Sequence, residues 1–142
     1  MNKFIKKLAP DFAQIESWLN QANKDLVIAK KILSLDPKWS LTVAYQAMLR
    51  IGRALMFAYG YLPTNYRQHK TVVEFTAKHL DKNFQSVTNQ FERLRRKRHD
   101  FFYGTLIGVS STEAKEALKT AQALFSQVKI IVAKRDPQTK LI

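Results

Sequence analysis

Both ends of one long helix can be read from the stretch LDPKWSLTVAYQAMLRIGRALMFAYGY, Leu35 to Tyr61. Asp36 is a residue type that often caps a helix N-terminus, and Pro37 fits the first turn, where the helix needs no N–H group. The pattern stops near Gly60. Between these limits, apolar residues recur at steps of three and four and so lie on one helical face: Leu41, Ala44, Tyr45, Met48 and Leu55. The stretch therefore predicts a helix that buries one face.

Similar patterns on both sides of this stretch predict more helices. A long first helix is indicated by the apolar series Phe12, Ile15, Leu19, Ala22, Leu26, Ala29 and Leu33. The segment YLPTNYRQ, residues 61–68, predicts a loop, and a shorter third helix follows it. A fourth helix contains Phe91 and Leu94, and Ser110 with Glu113 forms a capping box at the start of a fifth. No alternating strand pattern competes, so the sequence predicts an all-α, up-and-down bundle of about five helices.

Length and composition fit one domain. At 142 residues, with 46% hydrophobic residues, the chain can build a single core without disulfides or a structural metal. We predict one domain over residues 1–142, with residues 1–9 and 136–142 loose. The absence of cysteine excludes disulfides and thiolate chemistry, and we predict neither a metal nor another cofactor. No apolar run approaches the roughly 20 residues of a spanning helix, so we expect a soluble, cytoplasmic protein without a membrane contact.

Basic residues far outnumber acidic ones. The chain has 24 Lys and Arg against 11 Asp and Glu, which gives a formal net charge of +13 at pH 7. Such an excess indicates attraction to polyanions, with nucleic acid ahead of a membrane surface, although it also serves simple solubility. The charge is concentrated in FERLRRKRHDFFYG, Phe91 to Gly104, where five of the six residues from Arg93 to Arg98 are cationic and aromatic rings follow.

Arg98 is the most unusual residue of this basic stretch. On an ideal helix it shares a broad face with Arg95 and His99. It also occupies the position where the apolar stripe of this helix would continue after Leu94. Because a guanidinium is rarely buried without a partner, we expect it to meet an anion, a subunit interface, or a carboxylate such as Glu74 or Asp25. Cations beside rings suit single-stranded RNA, since guanidinium groups bind phosphates and rings stack on unpaired bases. Alternatively, the rings belong to the core and the histidine lies on the surface. The predicted RNA-binding residues are Arg95, Arg96, Lys97 and Arg98.

Two features together resemble the HEPN domain, a helical bundle of prokaryotic toxins, CRISPR and defence nucleases, and partners of minimal nucleotidyltransferases. They are the helix pair joined through LDPKWSLTVAYQAMLRIGRALMFAYGY and the later helix that ends in RLRRKRHDFFYG. The resemblance covers most of the chain. It implies a homodimer whose motif helices form a shared cleft, and metal-independent RNA cleavage in active members. It also implies an antitoxin or a nucleotidyltransferase as a candidate partner.

The catalytic signature of this family is an arginine followed, about one to two helical turns later, by a histidine. The resemblance implies two registers here. In one, Arg98 with the polar His99 after it is the arginine, and the closing position falls on Tyr103; in the other, Arg93 pairs with His99. The first register fits the apolar stripe better, but tyrosine, with a pKa of about 10, is a poor base at neutral pH. His69, near the start of the third helix, could line the same cleft, although a surface role is the alternative.

The sequence leaves three functions open. A ribonuclease or toxin would place Arg98, His99 and Tyr103 of two subunits around one scissile phosphate, with Arg95 and Arg96 holding the RNA backbone. A noncatalytic module would bind RNA, a nucleotide or a protein partner through the same surface. A purely structural dimer would leave the basic helix in solvent.

Overall fold

Long helices make up most of the chain in the computed structural model. The structure describes residues 2–103 and 108–140, except for the side chains of residues 99–103, 139 and 140. In chain order, the elements are β1 (Ile5–Lys7), α1 (Phe12–Ile32), α2 (Pro37–Ala58), β2 (Tyr61–Pro63), α3 (Gln68–His79), a short 3₁₀ turn (Lys82–Phe84), α4 (Gln85–Tyr103), α5 (Ser111–Arg135) and α6 (Pro137–Lys140). The predicted all-α bundle is confirmed. Within these described ranges, no helix combines the length and apolar content that crossing a bilayer requires.

Two helices begin at the caps that the sequence predicts. At the start of α2, the carboxylate of Asp36 accepts a hydrogen bond from the backbone N–H of Trp39 at 3.0 Å. At the start of α5, the hydroxyl of Ser110 accepts from the backbone N–H of Glu113 at 3.0 Å. Caps of this kind stabilise a helix by about 1 kcal/mol each, because they satisfy N–H groups that have no partner within the helix.

Helix α2 lies at the centre of the bundle and packs against α1, α3, α4 and α5. The buried rings of Tyr45 on α2 and Phe91 on α4 meet edge to face, with centroids 6.1 Å apart. Gly52 allows α3 to approach α2 closely, because a Cβ at this position would lie 2.4 Å from Val72 Cγ1 and 3.0 Å from Thr76 Oγ1. These contacts fix α3 and α4 against the same side of α2, where the candidate site lies.

The N-terminal segment forms a small sheet that the sequence did not predict. β1 pairs antiparallel with β2, with Ile5 opposite Pro63 and Lys7 opposite Tyr61. The prediction of a loose segment over residues 1–9 is therefore wrong for residues 5–7, and the predicted loop 61–68 begins with a strand. Strands of three residues are too short to show an alternating pattern. Helix α6 likewise occupies part of the tail 136–142 that we predicted to be loose, and residues 141 and 142 lie outside the described residues.

Candidate functional site

Helix α4 changes from a core helix to an exposed one along its length. Phe91 and Leu94 are buried, and the apolar stripe would place Arg98 in the core as well. Arg98 is instead exposed, because at this level α4 faces an open cleft. The charge of this arginine is therefore accessible to a ligand.

This cleft lies between α4 and the start of α3 and has a volume of about 440 Å³. We call it the basic cleft. The segment that leads into α3 and its first turn contribute Asn65, Arg67, His69 and Lys70, and α4 contributes Arg95 and Arg98. Four cationic side chains from two elements therefore line one small space. Such a set of like charges favours an anion between them.

The beginning of α3 adds to the positive potential of the basic cleft. Arg67, the residue before the helix, has a left-handed backbone conformation with φ of 54°. In the part of the chain that the structure describes, no side chain caps this helix. The N–H groups of the first turn therefore point out of the helix without a side-chain acceptor, at the positive end of the helix dipole. Together they form a further set of donors for an anion.

His69 lines the basic cleft and contacts the core through Tyr45. Its Nδ1 lies 3.3 Å from the hydroxyl oxygen of Tyr45, a fully buried residue. Burial, and after it the charges of Arg98, Arg53 and Arg95, lowers the pKa of His69 from 6.5 to about 4. Burial also raises the pKa of the Tyr45 hydroxyl. At neutral pH both groups are uncharged, so a single proton lies between the hydroxyl oxygen and Nδ1, and the tautomer of the imidazole decides which of the two donates.

The two carboxylates that we considered as partners of Arg98 contact other cations. Asp25 lies 3.8 Å from Arg50, and Glu74 lies 3.9 Å from Lys70. Each of these acids therefore pairs with a cation other than Arg98. Among the side chains that the structure describes, which do not include those of residues 99–103, no group of three or more His, Asp and Glu residues is placed to hold a metal ion.

The other basic residues of α4 lie away from the basic cleft. Arg93 is exposed and donates from Nε to the side-chain oxygen of Gln90 at 2.8 Å. Arg96 is exposed and lies 3.8 Å from Glu92. Neither of them, nor Lys97, belongs to the described lining of the cleft. The four cations predicted to bind RNA as one surface are therefore divided between two sides of α4.

Arg95 differs from Arg98 within the cleft, because it already has an anionic partner. Its Nε donates to Glu92 Oε1 at 2.5 Å, and its side chain is 21% exposed. That ion pair holds the guanidinium in one orientation, and the carboxylate offsets its positive potential. Arg98 is the more available of the two for a ligand.

Sequence reasoning reached only part of this site. The backbone of His99 and Tyr103 belongs to α4, but their side chains lie outside the described residues, so their roles stay predictions. Arg67 and Lys70 were missed as cleft residues. The signal for them was the polar run RQHK around His69, at the start of the predicted third helix.

Comparison with known proteins agrees with the resemblance seen in the sequence. A family model described as "HEPN domain" matches residues 15–131, which extend from α1 into α5. A search of curated proteins found no significant match. The matched region covers well over half of the chain and includes the three helices α2, α3 and α4 that build the basic cleft and its support. The chain belongs to the HEPN domain family.

Proposed function

We propose that this HEPN domain binds single-stranded RNA, with backbone phosphates at the basic cleft. The observation that carries the proposal is the convergence of Arg95 and Arg98 from α4 with Arg67 and Lys70 from the start of α3. Guanidinium groups bind phosphate oxygens through paired hydrogen bonds, and cations on two elements can approach a phosphate from different directions. The net charge of +13 adds a longer-range attraction to the strand.

The neutral imidazole of His69 supports the same proposal. With a pKa of about 4, this side chain adds no further repulsion among the cations at neutral pH. Its Nε2 is free of the contact with Tyr45, so in the tautomer that carries the proton on Nε2 the imidazole can donate a hydrogen bond to a phosphate oxygen. The uncapped N–H groups of α3 supply similar donors, as helix N-termini do in many anion sites. A phosphate at the cleft would thus gain both charge and neutral hydrogen bonds.

We favour a single strand over a duplex because an unpaired strand offers both phosphates and bases to the protein. The basic stretch is followed along the chain by the aromatic residues 101–103, which suit stacking on unpaired bases. RNA is favoured over other polyanions because the HEPN family includes ribonucleases and nucleotide-binding modules.

Fluorescence anisotropy with a labelled single-stranded oligoribonucleotide tests this proposal. The double variant Arg95→Ala/Arg98→Ala should weaken binding by about tenfold or more, because it removes two charge-assisted contacts of about 1 kcal/mol each. Arg96→Ala/Lys97→Ala is the matched control, since it removes the same charge from the same helix but away from the cleft. It should weaken binding by only about threefold, through long-range attraction. Equal losses in the two variants would show that the cleft is not the contact.

A second function, metal-independent RNA cleavage, is favoured by the position of Arg98 at the basic cleft. In this reaction the 2′-oxygen attacks the adjacent phosphorus and the bond from phosphorus to the 5′-oxygen breaks. A base accepts the proton of the 2′-hydroxyl, and an acid gives a proton to the departing 5′-oxygen. We assign Arg98 to stabilise the charge that develops on the phosphorus oxygens, and His99 and Tyr103 to the proton transfers. His69 is deprotonated at neutral pH, so it is unsuited to act as the acid.

Cleavage of this kind would need a symmetric homodimer. Two copies that pair along α4 would place Arg98, His99 and Tyr103 of both chains around one phosphate. Such an enzyme could act as a toxin, with an antitoxin or a nucleotidyltransferase as its partner protein. RNA binding at the cleft does not depend on this second function, and a noncatalytic module would keep it.

A further inference from the structure

We infer that a second space beside the basic cleft holds an unpaired base of the bound RNA strand, an inference that rests on the RNA binding proposed above. This space lies between β1, β2 and α3 and has a volume of about 510 Å³. We call it the aromatic groove. Its apolar walls are formed by Phe4, Ile5, Tyr61 and Phe75. The volume is within the range of about 300–1,000 Å³ that small-molecule sites occupy, so a nucleobase fits.

The aromatic groove and the basic cleft share two cations. Arg67 and Lys70 line both spaces, so the two lie on either side of these side chains. A strand whose phosphate contacts Arg67 or Lys70 therefore has the groove within reach of the attached base. The shared cations distinguish the groove from an isolated apolar pocket. They place a surface for the phosphate of a nucleotide, the basic cleft, next to a surface for its base, the aromatic groove.

The walls of the groove are held in place by aromatic contacts. Phe75 is buried, and the ring of His79 stacks on it with centroids 3.8 Å apart and planes 10° apart. Phe4 stacks on Tyr66 with centroids 5.3 Å apart. Tyr61 lies 6.1 Å from Phe75, centroid to centroid. Rings that are already fixed by neighbours lose little conformational entropy when a base packs against them.

The polar lining of the groove also suits a base. Asn2 and Thr71 place an amide and a hydroxyl among the apolar walls, and both can hydrogen-bond to the edge of a base. Lys78 adds a cation, whereas Glu74 places a carboxylate at the same groove. This carboxylate disfavours a second phosphate inside, so the groove is better matched to the uncharged part of a nucleotide than to its backbone.

Two probes of equal length separate base contacts from phosphate contacts: a short oligoadenylate and the corresponding abasic ribose-phosphate oligomer. Phe4→Leu removes one ring of the groove but keeps an apolar side chain. It should weaken oligoadenylate binding by about fivefold or more, the usual effect of losing one base–aromatic stack, and leave the abasic oligomer unchanged. Arg98→Ala should weaken both probes. Trp39→Leu is the matched control, because Trp39 is an aromatic residue that is 56% exposed and lines neither space.

The outcomes distinguish the groove from the RNA-binding proposal. If wild-type protein binds neither probe, both the RNA-binding proposal and the groove are overturned. If Arg98→Ala weakens both probes but Phe4→Leu affects neither, only the groove is overturned. If Phe4→Leu spares oligoadenylate and weakens binding of a glutamate-rich peptide, the groove is a peptide site and the inference is wrong.

A cross-linking measurement on the wild-type protein tests the groove without a variant that has to fold. RNA that contains 4-thiouridine should cross-link to Phe4 or Tyr61 on irradiation, as mapped by mass spectrometry of the digested complex. Cross-links confined to other residues would overturn the inference. If Phe4→Leu does not fold, Tyr61→Leu replaces it in the two-probe assay with the same expected result.

Discussion

Replacement of Arg98 by alanine should change both the affinity for RNA and its dependence on salt. Arg98 is exposed at the basic cleft, and its charge is close enough to His69 to lower the pKa of that imidazole. The loss of one charge-assisted contact in an exposed position corresponds to about 1 kcal/mol. We therefore expect the affinity at low salt to fall by about fivefold.

The salt dependence gives a sharper magnitude. The cations that line the cleft are Arg67, Lys70, Arg95 and Arg98. Each phosphate neutralised on a single strand contributes about 0.7 to the slope of log affinity against log salt. If each cation neutralises one phosphate, the slope reaches an upper limit of about −2.8. Raising the salt from about 50 to 200 mM then weakens wild-type binding by about fiftyfold, and binding of Arg98→Ala by only about twentyfold.

The assay is a salt titration of anisotropy for wild-type protein, Arg98→Ala and Arg96→Ala. Arg96→Ala is the control, because it removes the same charge from a residue that does not line the cleft. Because Arg96 adds only long-range attraction, Arg96→Ala should change the slope much less than Arg98→Ala does. A slope near zero for the wild-type protein would exclude the basic cleft as a phosphate site and favour a protein partner. Equal changes of slope in the two variants would refute the assignment of the contact to Arg98.

Catalysis, oligomeric state and the titration of His69 give further tests. If the protein cleaves RNA with a chelator present, Arg98→Ala should lower the cleavage rate by about a hundredfold to a thousandfold. Arg93→Ala should leave the cleavage rate nearly unchanged. The reverse ranking of the two variants would favour the register in which Arg93 pairs with His99. Light scattering at micromolar concentration should give about twice 16.5 kDa, and a strict monomer would remove the composite site. By NMR, His69 should titrate at about pH 4 rather than 6.5. Folding stability should fall as the pH drops from 6.5 toward about 4, because the unfolded imidazole binds a proton first. A midpoint at 6.5 would contradict the burial of this imidazole.

The helices could be predicted because the residues that each helix buries recur along the sequence at steps of three and four. Every residue of the α1 series from Ile15 to Ala29 that fits the steps of three and four is buried, and Asp36 caps α2 as expected. The small sheet depends on contacts that are distant in the sequence. The N–H of Leu8 donates to the carbonyl of Gly60 at 3.0 Å, a contact that only the folded bundle brings together. The spacing of apolar residues within one segment does not show that this segment pairs with another one far away in the sequence.

The candidate site could be predicted only from its α4 side. The density of cations in the basic stretch identified Arg95 and Arg98, because charge is visible in sequence. The contribution of Arg67 depends on its left-handed backbone and on where α3 begins. The lowered pKa of His69 depends on burial against Tyr45, which lies 24 residues earlier in the chain. Both properties arise from the packing of α3 against α2, so sequence patterns do not show them.

The two motif registers require different faces of α4. Arg93 and Arg98 are five positions apart, which places their side chains about 140° apart around a helix. Arg98 lines the cleft with His69, whereas Arg93 binds Gln90 on another side of the helix. A second copy that covers the basic cleft would bring Arg98 into a shared space and leave Arg93 outside it. That arrangement also brings like charges together, which a phosphate between the copies would neutralise. If Arg98 is the motif arginine, the basic cleft must therefore have two roles: it binds the RNA strand, and it faces the second copy of the chain.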